Sequence, residues 1–360
     1  MKTGIITIYD NTNIGNRLQN YALQQMLLQF CDSVITIKNK PAPTSFFDHI
    51  KMQLNLGDSI FLNMITGHKR KAMFLKFNRR YIRISKKCYY YNTDIKGNIE
   101  HCDCYCSGSD QVWNPVLKIT GPMHFLSFSE KERNFSYAAS FGISQIPIFY
   151  QDVVGEGLKN FQYISVREDS GKQIVKKLIG KDDTKVLIDP TLYFDSSEWR
   201  KISRKPIYFK KRKYILVYFL GDMPEIRKKT IKDIADNRKY EVIDILDVHS
   251  NFYAIGPSEF VYLVQHAELI CTDSFHASVF SFIFEKPLAI FPRKGTGGNM
   301  GNRLESFANK FDLTNTLIKD EIICEKIFDT NYSKGFETLK DERNKTRNYL
   351  NEIYSKLYKD

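Results

Sequence analysis

Asp273-Ser274-Phe275-His276 places an imidazole in the first turn of the helix that should follow the β-rich run Leu269–Thr272. Thr272, Asp273 or Ser274 can cap that helix, and its first N–H groups then suit a phosphate or carboxylate. His276 would stand beside such an anion and could pass a proton to a phosphoryl oxygen or an enol carbon. The alternative is a capped helix whose histidine only packs. Ser107-Gly108-Ser109-Asp110-Gln111-Val112-Trp113-Asn114 follows another strand. Its small residues let backbone approach a ligand, Ser109 and Gln111 offer hydrogen bonds, and Asp110 could take a hydroxyl proton. Trp113 could stack on a sugar ring, or simply be a buried indole beside a turn.

Three further clusters suit anions or hydroxyls. Arg167, in Ser165-Val166-Arg167-Glu168-Asp169-Ser170, could clamp a carboxylate bidentately or pair with its acidic neighbours. The amide-rich loop Asp10–Arg17, with Asn13 and Asn16, suits a hydroxyl-rich ligand or plain turn chemistry. It lacks the Gly-Lys-Ser/Thr ending of a phosphate-binding P-loop. Arg293–Arg303 combines glycines with three cations, as in a lid over an anion or a flexible surface loop. No metal-ligand spacing and no Cys–His pair emerge, so neither metal nor cofactor is expected.

The elements that must position these residues alternate strand and helix. Gly4–Ile8, a helix from Asn16 or Arg17, and Val34–Lys38 read as an opening βαβ unit. Residues 41–100 lack strong strands and read as a helical excursion. Strands are expected at Cys102–Cys106, Phe135–Ala139, Tyr163–Val166 and Val186–Ile188, and a polar, basic linker at Asp195–Lys213. The alternation restarts at Tyr214–Phe219 and runs to the helix at Asn302–Lys310, and an amphipathic helix closes the chain. These patterns predict an N-terminal domain over 1–195 with an insertion at about 41–100, a C-terminal domain over 196–335, and a tail helix over 336–360. Open parallel sheets bind ligands beyond the carboxyl ends of their strands, where all five clusters fall.

Composition narrows the setting. At 360 residues the chain exceeds one core, and 42% hydrophobic residues disfavour disorder. The formal charge is +12, but its lysines and arginines are scattered and no nucleic-acid motif accompanies them. Weak attraction to an anionic membrane surface is the preferred functional use of that charge. No secretory signal and no run of about 20 apolar residues are visible, which predicts a cytoplasmic protein, at most peripheral to the inner membrane. Cys102, Cys104 and Cys106 alternate along one strand, the pattern of reduced thiols in a core.

Taken in order, several of these segments resemble the polysaccharide pyruvyltransferase family. They are Asn13–Leu23, Gly108–Asn114, Val166–Ser170, Asp189-Pro190-Thr191, Glu259-Phe260, Thr272–His276 and Phe280-Ser281. The resemblance implies an α/β architecture of two Rossmann-like domains facing across a cleft, similar to the glycosyltransferase type B (GT-B) fold. It implies phosphoenolpyruvate as co-substrate and a pyruvate ketal formed on a sugar, with a lipid-linked oligosaccharide precursor as the family-level acceptor. Carried onto this chain, His276, Arg167 and Asp110 become catalytic. Ser274, Phe275, Arg293, Asn302 and Arg303 fall on the donor side, and Asn13, Asn16, Gln19, Ser109, Gln111 and Trp113 on the acceptor side. Better-known members place an Arg-Leu pair before the histidine, where this chain has Ser274-Phe275. Arg167, Arg293 or Arg303 would then supply the charge. The same architecture also serves nucleotide-sugar glycosyltransferases and non-catalytic sugar- or anion-binding relatives.

Overall fold

The computed structural model describes residues 1–10, 12–42, 60–92, 99–117, 120–295 and 301–359; for 60–66, 301 and 302 it describes the backbone alone. Along the chain come β1 (Lys2–Ile6), α1 (Ile14–Leu27), β2 (Ser33–Thr36), β3 (Asn39–Lys40), α2 (Ile60–Tyr81), β4 (Tyr89–Tyr90), β5 (Cys104–Ser107) and β6 (Asn134–Ser136). Then follow α3 (Ile148–Leu158), β7 (Ser165–Val166), α4 (Asp169–Ile179), β8 (Lys185–Val186) and α5 (Ser196–Ile202). The rest comprises β9 (Tyr214–Tyr218), α6 (Glu225–Arg238), β10 (Glu241–Asp244), α7 (Pro257–His266), β11 (Leu269–Thr272), α8 (Phe275–Ile283), β12 (Leu288–Ile290), α9 (Gly301–Lys310) and α10 (Ser333–Leu357). The protein is α/β, and its sheets are parallel throughout the named strand pairs.

Two compact units divide the chain: Met1–Phe61 with Asn78–Tyr193 and Asn344–Asp360, and Leu62–Phe77 with Phe194–Arg343. The first holds a sheet of order β2-β1-β5-β6, extended towards β7 by parallel bridges Phe135↔Tyr163 and Ala139↔Val166. The second holds β10-β9-β11-β12. The two sheets share one wiring. In each, the chain leaves the first strand for a neighbour on one side, then crosses to the other side for the third. The strand order therefore reverses between β1 and β5 and again between β9 and β11, and such switch points open a crevice at the carboxyl ends.

Burial explains why these segments form strands. β9 (Tyr-Ile-Leu-Val-Tyr) and β11 (Leu-Ile-Cys-Thr) are buried along their whole length, as central parallel strands covered on both faces must be. In the first unit Cys102, Cys104 and Cys106 are all buried and free, and burial pushes the Cys102 and Cys104 thiols up to about 12, which makes them inert packing groups. The second part of α10 also belongs to this core: the Tyr354 and Thr3 hydroxyls meet at 2.8 Å, and Tyr349 donates to the Ser136 carbonyl at 2.8 Å.

Two segments differ from the sequence expectation. Asp195–Lys213 is not a bare linker. Asp195 accepts from the Ser197 and Glu198 amides to cap α5, and Trp199 packs edge-on to Phe280 at 4.7 Å. Helix α3 was not foreseen, because its start, Ile148-Phe149-Tyr150, is exposed and follows no amphipathic period. Residues 43–59 and 93–98, within the expected insertion, lie outside the described residues.

Candidate functional site

In the second unit, polar residues gather where β9, β11 and β12 end. Asp273 is fully buried; its Oδ1 accepts from the Leu220 amide at 2.7 Å and its Oδ2 from the Gly221 amide at 2.9 Å. Arg293 donates from Nε to the same Oδ2 at 3.2 Å and from Nη2 to the Asp273 carbonyl at 2.9 Å. One carboxylate thus ties three loops together. Ser274 caps α8, its Oγ accepting from the Ala277 amide, while its own amide donates to Thr272 Oγ1 at 2.9 Å. The half-buried His276 sits in the first turn of this helix, edge-on to Phe275 at 5.3 Å.

The same turn meets α9. Phe275 packs edge-on to Phe307 at 5.8 Å, and the buried Arg303 lies one turn earlier than Phe307 on that helix, on the same face. Arg293 is not a spare cation for the donor, since it neutralises Asp273 and orders the turn instead. Lys294 is also committed: it pairs with Glu321 at 2.7 Å, and Glu321 accepts twice from Arg227. The side chain of Asn302, and the loop 296–300 of the expected lid, lie outside the described residues.

In the first unit a second polar group lies where β1, β5 and β7 end. Gly108 lets β5 pass tightly over α1, because a Cβ there would stand 2.9 Å from Leu23 Cδ2. Ser109 donates to Asp189 Oδ2 at 3.0 Å, and Arg167 bonds Asp189 Oδ2 and Glu168 Oε1 at 2.9 Å each. Burial works against the Arg167 charge, but Glu168, Asp189 and Asp110 outweigh it and raise its pKa above the ordinary guanidinium value. An arginine held by two carboxylates is not a free anion clamp. Its partners are the adjacent Glu168, one of the two acidic neighbours the sequence offers, and the distant Asp189 rather than Asp169. Arg167 and Ser109 together hold the loop that carries Asp110.

Asp110 has φ of 103°, a left-handed value that costs energy for a residue other than glycine. Its Oδ1 accepts from the Gln111 amide at 2.8 Å. Gln111 is buried, its Oε1 accepting from Asn114 Nδ2. Trp113 is fully buried among Phe125, Phe141 and Phe161 and donates to the His124 carbonyl at 3.2 Å, so its ring fills the core and offers no face to a sugar. Asn13 caps α1 by accepting from the Asn16 amide, Asn16 Nδ2 donates to Asp10 at 2.9 Å, and Gln19 Nε2 donates to Thr7 Oγ1 at 3.0 Å. Asn16 and Gln19 are buried in this loop framework, and Asn13 is partly exposed.

Two residues escaped the sequence reading. Arg17 is fully buried and crosses the Tyr9 ring at 4.9 Å. Its signal was the make-up of α1, which contains no Asp, Glu or Lys and so offers no charged face to water. His124 is buried with no hydrogen-bond partner on either ring nitrogen among the described residues, and burial lowers its pKa to about 4. Nothing in Pro122-Met123-His124-Phe125 marks it. No group of His, Cys, Asp or Glu that could hold a metal occurs among the described residues, and no helix there is long and apolar enough to cross a membrane.

No curated protein matches the chain significantly. Among solved structures it is similar to UDP-GlcNAc 2-epimerase from Neisseria meningitidis bound to UDP-GlcNAc (12% identity, 91% of this chain and 98% of that one, TM-score 0.42). It is also similar to UDP-GlcNAc 2-epimerase from Methanocaldococcus jannaschii (12%, 94% and 92%, TM-score 0.40) and to Acinetobacter baumannii MurG (9%, 100% and 99%, TM-score 0.38). Likeness at this level says nothing of substrate. The sequence profile of the polysaccharide pyruvyl transferase family matches residues 13–295, a stretch that includes Arg17, Asp110, Arg167, Asp273 and His276. With more than half its length matched in one run, the chain belongs to the polysaccharide pyruvyl transferase family.

Proposed function

We propose that the protein transfers a pyruvyl group from phosphoenolpyruvate to two hydroxyls of a sugar, releasing phosphate. The observation that carries this reading is His276, half-buried in the first turn of α8 at the β9/β11 switch point of a chain of this family. The donor has a phosphate and a carboxylate, and Arg303 with the capped start of α8 suits one of them. His276 protonates the methylene carbon, leaving an oxocarbenium-like centre to which the first hydroxyl oxygen adds. The bond from that carbon to the phosphate oxygen then breaks, and the second hydroxyl closes the ketal. Of the two hydroxyl protons, one restores the histidine and the other leaves with phosphate. Asp110 first takes the proton that then leaves with phosphate. Arg167 and Arg293 are positioning residues, each holding the loop of a neighbouring carboxylate.

The acceptor in this reading is a lipid-linked oligosaccharide met at an anionic bilayer inside the cell. Exposed Ile148, Phe149 and Val153 on α3, with the net charge of +12, support that setting. Incubation with phosphoenolpyruvate, and separately with UDP-sugars, tests the reaction class by mass spectrometry of the acceptor. The acceptor should gain one pyruvate less one water, faster when it is presented in phosphatidylglycerol vesicles than in solution. His276→Asn should lower phosphate release by roughly a hundredfold or more. Sugar transfer from a UDP-sugar, or full activity in that variant, would refute the assignment.

A further inference from the structure

Arg17 and Asp110 stand at the switch point of the first sheet, and each carries buried polar atoms with no hydrogen-bond partner among the described residues. Arg17 follows β1 and Asp110 follows β5, the two strands between which the order of the first sheet reverses. Arg17 Nη2 donates to the Ile8 carbonyl at 2.7 Å, whereas Nε and Nη1, both buried, have no hydrogen-bond partner among the described residues. Asp110 Oδ2 is likewise buried and without a partner there. The two side chains feel each other's charge without forming an ion pair, because Asp10 and Asp110 both act on the Arg17 guanidinium and neither bonds it. Asp10 is occupied by the Thr12 and Asn13 amides and by Asn16.

A buried guanidinium with two idle donors is costly, and an apolar side chain of similar volume would pack there at less cost. Arg167 and Arg227, equally buried, are each paired with carboxylate. The strained backbone of Asp110 adds a second cost at the same place. Such arrangements persist where a ligand completes them.

We propose that Arg17 and Asp110 form a subsite for an oxyanion, carboxylate or phosphate, that stands next to a hydroxyl on the same ligand. An idle Arg17 N–H, from Nε or Nη1, donates to the oxyanion and Asp110 Oδ2 accepts from the hydroxyl. This rests on the transferase reading only in naming the ligand: it makes the acceptor an anionic sugar and gives its charged group to the first unit.

Calorimetric titration of the full chain tests it with glucose 1-phosphate, glucuronate, glucose and inorganic phosphate. Glucose 1-phosphate or glucuronate should bind more tightly than glucose, and whichever binds identifies the oxyanion. Arg17→Met should weaken that ligand by roughly tenfold to a hundredfold and leave glucose unchanged. Arg17→Lys, which keeps the charge but loses the planar guanidinium donors, should fall between, and Asp110→Asn should weaken charged and neutral sugars alike. Equal binding of glucose and both anionic sugars by the unaltered protein overturns the subsite, as does an unchanged affinity in a folded Arg17→Met. Arg17-dependent binding without pyruvyl transfer would leave the subsite standing and remove the transferase reading. Transfer with an Arg17-independent KM for an anionic acceptor would do the reverse.

Discussion

The two sheets are wired alike, yet their switch points are finished differently. In the second unit Asp273 is saturated by two amides and an arginine, so the loops after β9, β11 and β12 are locked around the Ser274–His276 turn. In the first unit Arg17 and Asp110 each leave polar atoms idle inside the protein, on a loop braced from below by Arg167, Asp189 and Ser109. One end ties its loops together through a saturated carboxylate. The other keeps hydrogen-bonding capacity in reserve. A fold repeated within a chain therefore need not repeat its chemistry, because function is set by which loop groups the scaffold leaves unsatisfied.

The sharpest way to break this contrast is at Asp273. Asp273→Ala would orphan two amides and strip Arg293 of its partner, and should cost roughly 3–5 kcal/mol in urea unfolding. A loss below about 1 kcal/mol would show that the saturated switch point is not structural.

Acid should separate the units next. His124 is neutral when folded, with a pKa near 4 against 6.5 when exposed. The folded state therefore binds fewer protons between these values, and stability, complete above pH 6.5, falls as pH drops towards 4, by up to about 3 kcal/mol. In the second unit, Arg227 holds Glu321 below the usual carboxylate range, so its contribution is present at neutral pH and fades only as pH drops below that range. Hydrogen exchange at pH 5 should thus open peptides around β5, which the His124 carbonyl supports through Ser107 and Trp113, before those around β12. Simultaneous opening, or an unaltered acid profile in His124→Phe, would remove that ordering.

The smallest effect is expected at Asp110. Asp110→Gly relieves the left-handed backbone and loses one hydrogen bond to Gln111, so stability should change by no more than about 1 kcal/mol in either direction. A larger loss, measured by thermal unfolding, would mean that the carboxylate already has a structural partner.

Strand and helix spacing was enough to announce two alternating α/β stretches, the buried thiols of Cys102–Cys106, and the polar loops at strand ends that carry Asp110, Arg167 and His276. Those features depend on local period and on residues close in sequence, and the ordered family motifs follow the chain in the same way. What tertiary structure alone decided is which of those polar groups are spent. Besides the adjacent Glu168, Arg167 finds Asp189 across 22 positions, and Arg293 finds Asp273 across 20, partners that no local window contains. Trp113 is claimed by three phenylalanines from separate segments, and Arg17 stays buried and underused because α1 is enclosed on nearly every side. Charge in a sequence counts residues; availability of that charge is a property of pairing and burial, which only the folded chain supplies.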